Sequence, residues 1–196
     1  VVVNPNNPDG RQHDPADLAA LAARVGRLVV DESFADPCPA LSLAPRAEAV
    51  PGLLVLRSFG KVWGLAGLRL GFVLGSAEDI ARLDAMSGPW PVSGPALEIG
   101  AAALADRAWI AATSARLLDD AGRLDTLAGR AGWQLRGGTA LFRLYETPDA
   151  AAAQDRLARA RIWSRRFPWS RSWLRLGLPG SDAEWTRLAA ALEERA

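Results

Sequence analysis

Arg57-Ser58-Phe59-Gly60-Lys61-Val62-Trp63-Gly64-Leu65-Ala66-Gly67-Leu68-Arg69-Leu70-Gly71-Phe72 contains the only lysine of a 196-residue chain. All other Lys/Arg positions are arginine. A guanidinium supplies charge at any pH a protein meets, so lysine has been replaced wherever charge alone was wanted. Only a primary amine forms an imine. Two readings of Lys61 are open at this point: a Schiff-base lysine that must lose its proton to act, or one ordinary surface lysine left in an arginine-rich composition.

The stretch lies between two apolar runs, Leu53 to Arg57 and Leu70 to Leu74, each of strand length. Upstream, Val1 to Val3 is a short buried strand closed by the turn formers Asn4-Pro5-Asn6-Asn7-Pro8-Asp9-Gly10. Asp14 as N-cap and Pro15 at the first helical position open a helix to about Arg24, and Arg27 to Asp31 is the next strand. Strand, helix and strand of these lengths make a right-handed crossover with parallel strands. Three strand ends are therefore expected to deposit Asn7, Asp31 and Lys61 on one edge, where open α/β sheets bind ligands.

Downstream, the sequence predicts a helix from Ala77 to Met86 and helical sequence from Ala96 to about Arg130, with a change of domain near Asp106 or Thr113. Strands follow at Trp133 to Leu135 and Thr139 to Tyr145 around Gly137-Gly138, a helix at Asp149 to Ala160, strands at Arg161 to Arg165 and Trp173 to Leu176, and a capped helix from Ser181 to Ala196. The expected fold class is α/β. Residues 1–112 are expected to form part of a large three-layer α/β/α domain, and residues 113–196 a smaller C-terminal α+β domain.

A formal net charge of +1 gives no electrostatic case for nucleic acid or an anionic membrane. No apolar run has the length of a membrane span, and no signal peptide is evident, so a cytoplasmic enzyme is expected. His13 and Cys38 are each the only one of their kind, which excludes an internal disulfide and a His/Cys metal cage. Cys38 reads as an incidental loop residue and His13 as a solvated turn residue. Val1 sits inside a strand already under way, so the chain is expected to be the later part of a longer protein, with its site incomplete.

An imine-forming lysine serving pyridoxal 5'-phosphate needs a carboxylate to keep the ring nitrogen protonated, an arginine with hydroxyl donors for the phosphate, and an amide donor for the phenolic oxygen. Asp31, Arg69 with Ser58, and Asn7 meet these needs. At this point the chain resembles the fold-type I pyridoxal-phosphate enzymes, the aspartate aminotransferase superfamily. Asn6-Asn7-Pro8-Asp9-Gly10 is similar to its N-P-x-G motif, Asp31-Glu32-Ser33-Phe34 to its D-x-x-[YF] motif, and Ser58-Phe59-Gly60-Lys61 with Gly64 to Arg69 to its lysine and phosphate segment. Within that superfamily it resembles the threonine-phosphate decarboxylase branch of cobalamin biosynthesis, itself similar to histidinol-phosphate aminotransferase.

The resemblance implies that Lys61 is catalytic, that Asn7, Asp31, Phe34, Ser58, Lys61 and Arg69 bind the cofactor, and that Arg175 forks onto the substrate carboxylate. It makes Arg165 a second anion-binding arginine suited to a substrate phosphate, and implies a homodimer. Two departures stand out. Phe34 replaces a tyrosine that would bond the phenolic oxygen, and Gly60 stands where relatives often have serine. The remaining arginines of the last third, interleaved with Trp163, Trp169 and Trp173, read as a solvated face rather than a nucleic-acid stripe.

The expected reaction is decarboxylation of O-phospho-L-threonine to aminopropanol phosphate. The alternative is transamination of histidinol phosphate or a related amino acid, since the bond set perpendicular to the ring decides between them. A non-catalytic remnant is a further alternative if the upstream part is absent. Ser58-Phe59-Gly60-Lys61 also fits the S-x-x-K signature of acyl-serine hydrolases, but a single lysine cannot supply their K-T-G element as well.

Overall fold

The computed structural model describes residues 1–193. They fall into two compact units: Val1–Asn6 with Arg11–Ser114, and Asn7–Gly10 with residues 115 onward. The sequence placed all of 1–112 together, whereas the turn segment Asn7–Gly10 groups with the second unit.

In the first unit β1 (Val2–Val3), β2 (Leu28–Asp31), β3 (Leu53–Ser58) and β4 (Gly71–Leu74) form one sheet in that order among the described residues. The first three strands are parallel and β4 is antiparallel to β3. Helix α1 (Pro15–Ala22) makes the expected crossover, with Asp14 accepting from the Ala16 N–H. It ends before Arg24 because the Arg24 and Val25 N–H groups turn to the carbonyls of Leu21 and Ala22, three residues back.

Strand alternation decides what each residue of β2 and β3 does. Leu28, Val30, Leu53 and Val55 point into a core with Leu18, Ala22 and Leu43. Asp31, paired in register with Leu56, therefore lies on the opposite face, and Ser58 two residues on from Leu56 shares that face. Glu32 and Arg57 alternate to the other side. There Glu32 is fully buried, accepting from the Leu43 N–H at 2.6 Å, the Ser42 hydroxyl at 2.5 Å and Arg57 at 3.2 Å. Arg57 also pairs with Asp36. Two adjacent carboxylates, Asp31 and Glu32, thus have different surroundings.

Helix α2 (Ala77–Ser87) is capped by Ser76. The helical sequence read as continuous from Ala96 to Arg130 divides into α3 (Gly94–Ala105) and α4 (Arg107–Arg130). Asp106 leaves the helical region and its carboxylate accepts from the Trp109 N–H, so an aspartate inside an apolar run starts a new helix.

The second unit holds β5 (Gln134–Thr139), β6 (Phe142–Glu146), β7 (Arg165–Arg166) and β8 (Trp173–Gly177) in the antiparallel order β5-β6-β8-β7. Helices α5 (Ala150–Arg159) and α6 (Asp182–Glu193), with the latter part of α4, cover a core including Leu124, Trp133, Leu157, Leu174, Trp185 and Leu188. The last residues of the expected Ser181–Ala196 helix, 194–196, lie outside the described residues. No described helix is long and apolar enough to cross a membrane.

Two expectations need correction here. Gly137 and Gly138 are not the hairpin turn. They lie within β5 beside a bulge, and the turn is Ala140-Leu141, where Thr139 Oγ1 accepts from the Leu141 N–H. The glycines serve close approach. A Cβ on Gly137 would sit 2.0 Å from the Asp9 carbonyl oxygen, and one on Gly10 would sit 1.9 Å from that of Gly138. The strand expected at Arg161 to Arg165 shrinks to β7, because the N–H groups of Arg161 and Ile162 close the end of α5 on Ala158 and Leu157.

A polar knot ties α4 to β6. Asp125 accepts two hydrogen bonds from Arg143, at 2.9 and 2.6 Å, and one from the hydroxyl of Tyr145 at 2.7 Å. Burial, then Asp125, raises the Tyr145 pKa well above its ordinary value of 10.0. A proton bound more tightly in the folded state stabilises the fold fully below about pH 10 and progressively less above it. Thermal unfolding is therefore expected to be flat from pH 8 to about 10 and then to fall. Tyr145→Phe should remove the tyrosine's share of that fall, and since Tyr145 is the only tyrosine its ionisation can be read directly from ultraviolet absorbance. Asp125→Ala strands two donors and is expected to cost about 2 kcal/mol in denaturant unfolding.

Candidate functional site

The carboxyl end of the first unit's parallel strands carries Asp31, Ser58 and Lys61. Asp31 is half-buried, and its Oδ1 accepts from the Ser33 N–H at 2.9 Å and from the Ser33 hydroxyl at 2.6 Å. Neither of these bonds uses Oδ2.

The lysine loop is anchored by its neighbours. Phe59 is buried, stacks on Trp63 with ring centroids 5.2 Å apart, and packs at 5.6 Å on Phe72. Trp63 stacks in turn on Trp109 at 5.5 Å. Backbone bonds from Phe59 to Leu70, Leu65 to Phe59 and Gly64 to Lys61 close the loop. Lys61 is thus an exposed amine on a fixed backbone, with Nζ 5.7 Å from the centroid of the Phe34 ring. Phe34 occupies the place expected of a phenolic donor and offers an aromatic face instead.

A hollow of about 340 Å³ is lined by Ser58, Gly60, Lys61, Ala66, Arg69, Leu70 and Gly71. Ser58 Oγ accepts from the Gly60 N–H at 3.1 Å, which leaves its own proton to give. Arg69 adopts a left-handed backbone, φ 56°, and spends one N–H on the Ala66 carbonyl, keeping its other donors. Opposite Ser58 in the antiparallel pair stands Gly71, where a Cβ would come within 3.0 Å of the Arg57 carbonyl. One hydroxyl, one guanidinium and one amine around a concave surface make a donor set suited to a phosphate and a carbonyl carbon. This donor set, with the carboxylate of Asp31, fits pyridoxal 5'-phosphate. No group of His, Cys, Asp and Glu that could hold a metal ion exists among the described residues.

The second unit brings together three of the other candidates. Arg175 on β8 donates to Asn7 Oδ1, and its guanidinium lies 5.0 Å over the Phe142 ring. Arg165 on β7 is its register partner. Burial lowers the Arg175 pKa, and the neighbouring Arg165 charge lowers it further. No salt bridge to either arginine occurs among the described residues. Two adjacent guanidiniums without a counter-ion form an electropositive seat for an anionic ligand.

Sequence reading missed Ser33 as a site residue, although it lies within the quoted motif. Only the folded turn shows that its hydroxyl reaches the carboxylate two positions back. The resemblance had singled out Asp31, and strand alternation adds that Glu32 beside it is buried.

The family model for class I and II aminotransferases matches residues 1–192. A threonine-phosphate decarboxylase of Pseudomonas aeruginosa is 48% identical over 98% of this chain and 59% of its own length. A histidinol-phosphate aminotransferase of Mycobacterium bovis is 37% identical over 99% of this chain and 54% of its own. The crystal structure of histidinol-phosphate aminotransferase from Sinorhizobium meliloti in complex with pyridoxal-5'-phosphate superposes with a TM-score of 0.86 at 26% identity, over 97% of this chain and 55% of that one. The chain thus spans a little under three fifths of the relatives it matches.

Proposed function

Since this chain belongs to the class I and II aminotransferase family, we propose that it is the pyridoxal-phosphate-binding and C-terminal portion of an enzyme that decarboxylates O-phospho-L-threonine to aminopropanol phosphate, a step of cobalamin biosynthesis. The observation that carries this reading is the hollow in which the only lysine shares a surface with Ser58 and Arg69. The identity to the Pseudomonas aeruginosa decarboxylase supports the choice of substrate.

In this account Ser58 and Arg69 would hold the cofactor phosphate, Asp31 would accept from its ring nitrogen, Asn7 would donate its amide N–H to the phenolic oxygen, and Phe34 would lie beside Lys61 at the cofactor. The bound cofactor supplies an electron sink for the pair released at Cα. Arg175 takes the substrate carboxylate and Arg165 its phosphate. Lys61 carries the proton that Cα acquires once carbon dioxide has left. The primary amine suits this because it exchanges a proton once desolvated, which no arginine does. The large exposed side chains Met86, Trp90 and Leu97 of the first unit support a homodimer.

The 37% identity to a histidinol-phosphate aminotransferase supports transamination as a second reading. Incubation with O-phospho-L-threonine separates the two. The account expects one carbon dioxide and one aminopropanol phosphate per turnover with the cofactor unchanged. An oxo acid with stoichiometric conversion of the cofactor to its amine would establish the second reading.

A further inference from the structure

Asp31 owes its orientation to a single neighbour. Its Oδ1 takes two hydrogen bonds, both from Ser33, one from the hydroxyl at 2.6 Å and one from the N–H at 2.9 Å. The rest of the adjoining polar cluster is spent elsewhere: Arg57 and Ser42 go to Glu32 on the opposite side of the strand. A carboxylate at a strand end can rotate about two side-chain torsions, and an unbound one loses that freedom when a ligand arrives. Two donors converging on one oxygen fix the plane of the group beforehand and present Oδ2 alone.

We infer that Ser33 is a positioning residue for the cofactor, acting through Asp31: its hydroxyl holds the carboxylate in the orientation that lets Oδ2 accept from the protonated ring nitrogen. This rests on the pyridoxal-phosphate reading above. Ser33 is half-buried and caps no helix. Among the described residues its hydroxyl bonds to Asp31 alone, so the geometry gives it this task. Threonine carries the same hydroxyl and alanine does not, while both keep the backbone N–H, so the comparison isolates the 2.6 Å bond.

The test measures pyridoxal 5'-phosphate binding by absorbance titration, together with the pH profile of the bound cofactor's absorbance, in the protein with Ser33, Ser33→Ala, Ser33→Thr and Asp31→Ala. The expected result is an affinity about fivefold weaker in Ser33→Ala, with a displaced pH profile, an unchanged thermal midpoint of the cofactor-free protein, and recovery to within about twofold in Ser33→Thr. Ser33→Ala binding as tightly as the parent with the same profile, while Asp31→Ala is impaired, overturns the role of Ser33 and leaves the cofactor reading standing. A weaker affinity that tracks a lowered thermal midpoint and is not recovered by threonine also overturns it, by making the serine structural. If Asp31→Ala binds normally too, the assignment of Asp31 itself fails.

Discussion

Lys61→Ala is expected to reduce turnover by roughly 10⁴-fold and to abolish covalent retention of pyridoxal 5'-phosphate. The first effect follows from the proposed roles of Lys61 in bonding the cofactor and carrying the proton to Cα, each a contribution of several powers of ten. The second follows from composition, because these 196 residues hold no other lysine. The backbone around the position is set by Phe59, Trp63 and Phe72, not by the lysine side chain, so the variant should fold with an unchanged unfolding midpoint. Lys61→Arg is as informative. It preserves charge and the contact with the Phe34 ring but cannot form an imine, and should be as inactive as alanine. Kinetics of the two variants, with absorbance near the cofactor band, check this.

Asp31→Asn is expected to lower kcat by about 10²- to 10³-fold while leaving KM within a few-fold and covalent retention of the cofactor intact. The amide is nearly isosteric and can keep the Ser33 hydroxyl bond, so geometry is preserved and the negative charge is lost. A carboxylate opposite the ring nitrogen would keep that nitrogen protonated and so keep the ring able to take up the electron pair released at Cα, which places the effect of losing the anion on kcat. Lys61→Ala and Asp31→Asn therefore separate cleanly: the first loses both bond and rate, the second only rate. A kcat unchanged in Asp31→Asn would remove Asp31 from the reaction.

Much of this was legible in the sequence because the chemistry-bearing residues follow strand ends. The apolar runs before Asp31 and Ser58, with Asp14 and Pro15 between the first two strands, determine a parallel crossover from local rules alone. Asp31 and Lys61 could be placed at strand ends for the same reason, whereas Asn7, expected on that same edge, falls in the second unit. What could not be read depended on tertiary contacts. Gly137-Gly138 looks like a turn until the backbone of Asp9 is seen lying against it. Arg161 to Ser164 alternates like a strand, but the Arg161 and Ile162 N–H groups go to the end of α5. Asp106 stands in the sequence only as one possible place for a change of domain, and the fold shows its carboxylate accepting from the Trp109 N–H at the start of a new helix. At the site, the Ser33 bond and the pairing of Arg165 with Arg175 needed coordinates, since neither a turn's side-chain direction nor an antiparallel register is written in composition.

The measurement that bears most directly on the central claim is borohydride reduction of the protein after incubation with pyridoxal 5'-phosphate, followed by peptide mass mapping. Among these 196 residues Lys61 is the only lysine, so the peptide that contains it offers a single side-chain amine to modify. The account predicts one cofactor adduct per chain, on the peptide containing Lys61, and none in Lys61→Ala. An unmodified Lys61 peptide, or an adduct that persists in the alanine variant, would contradict it.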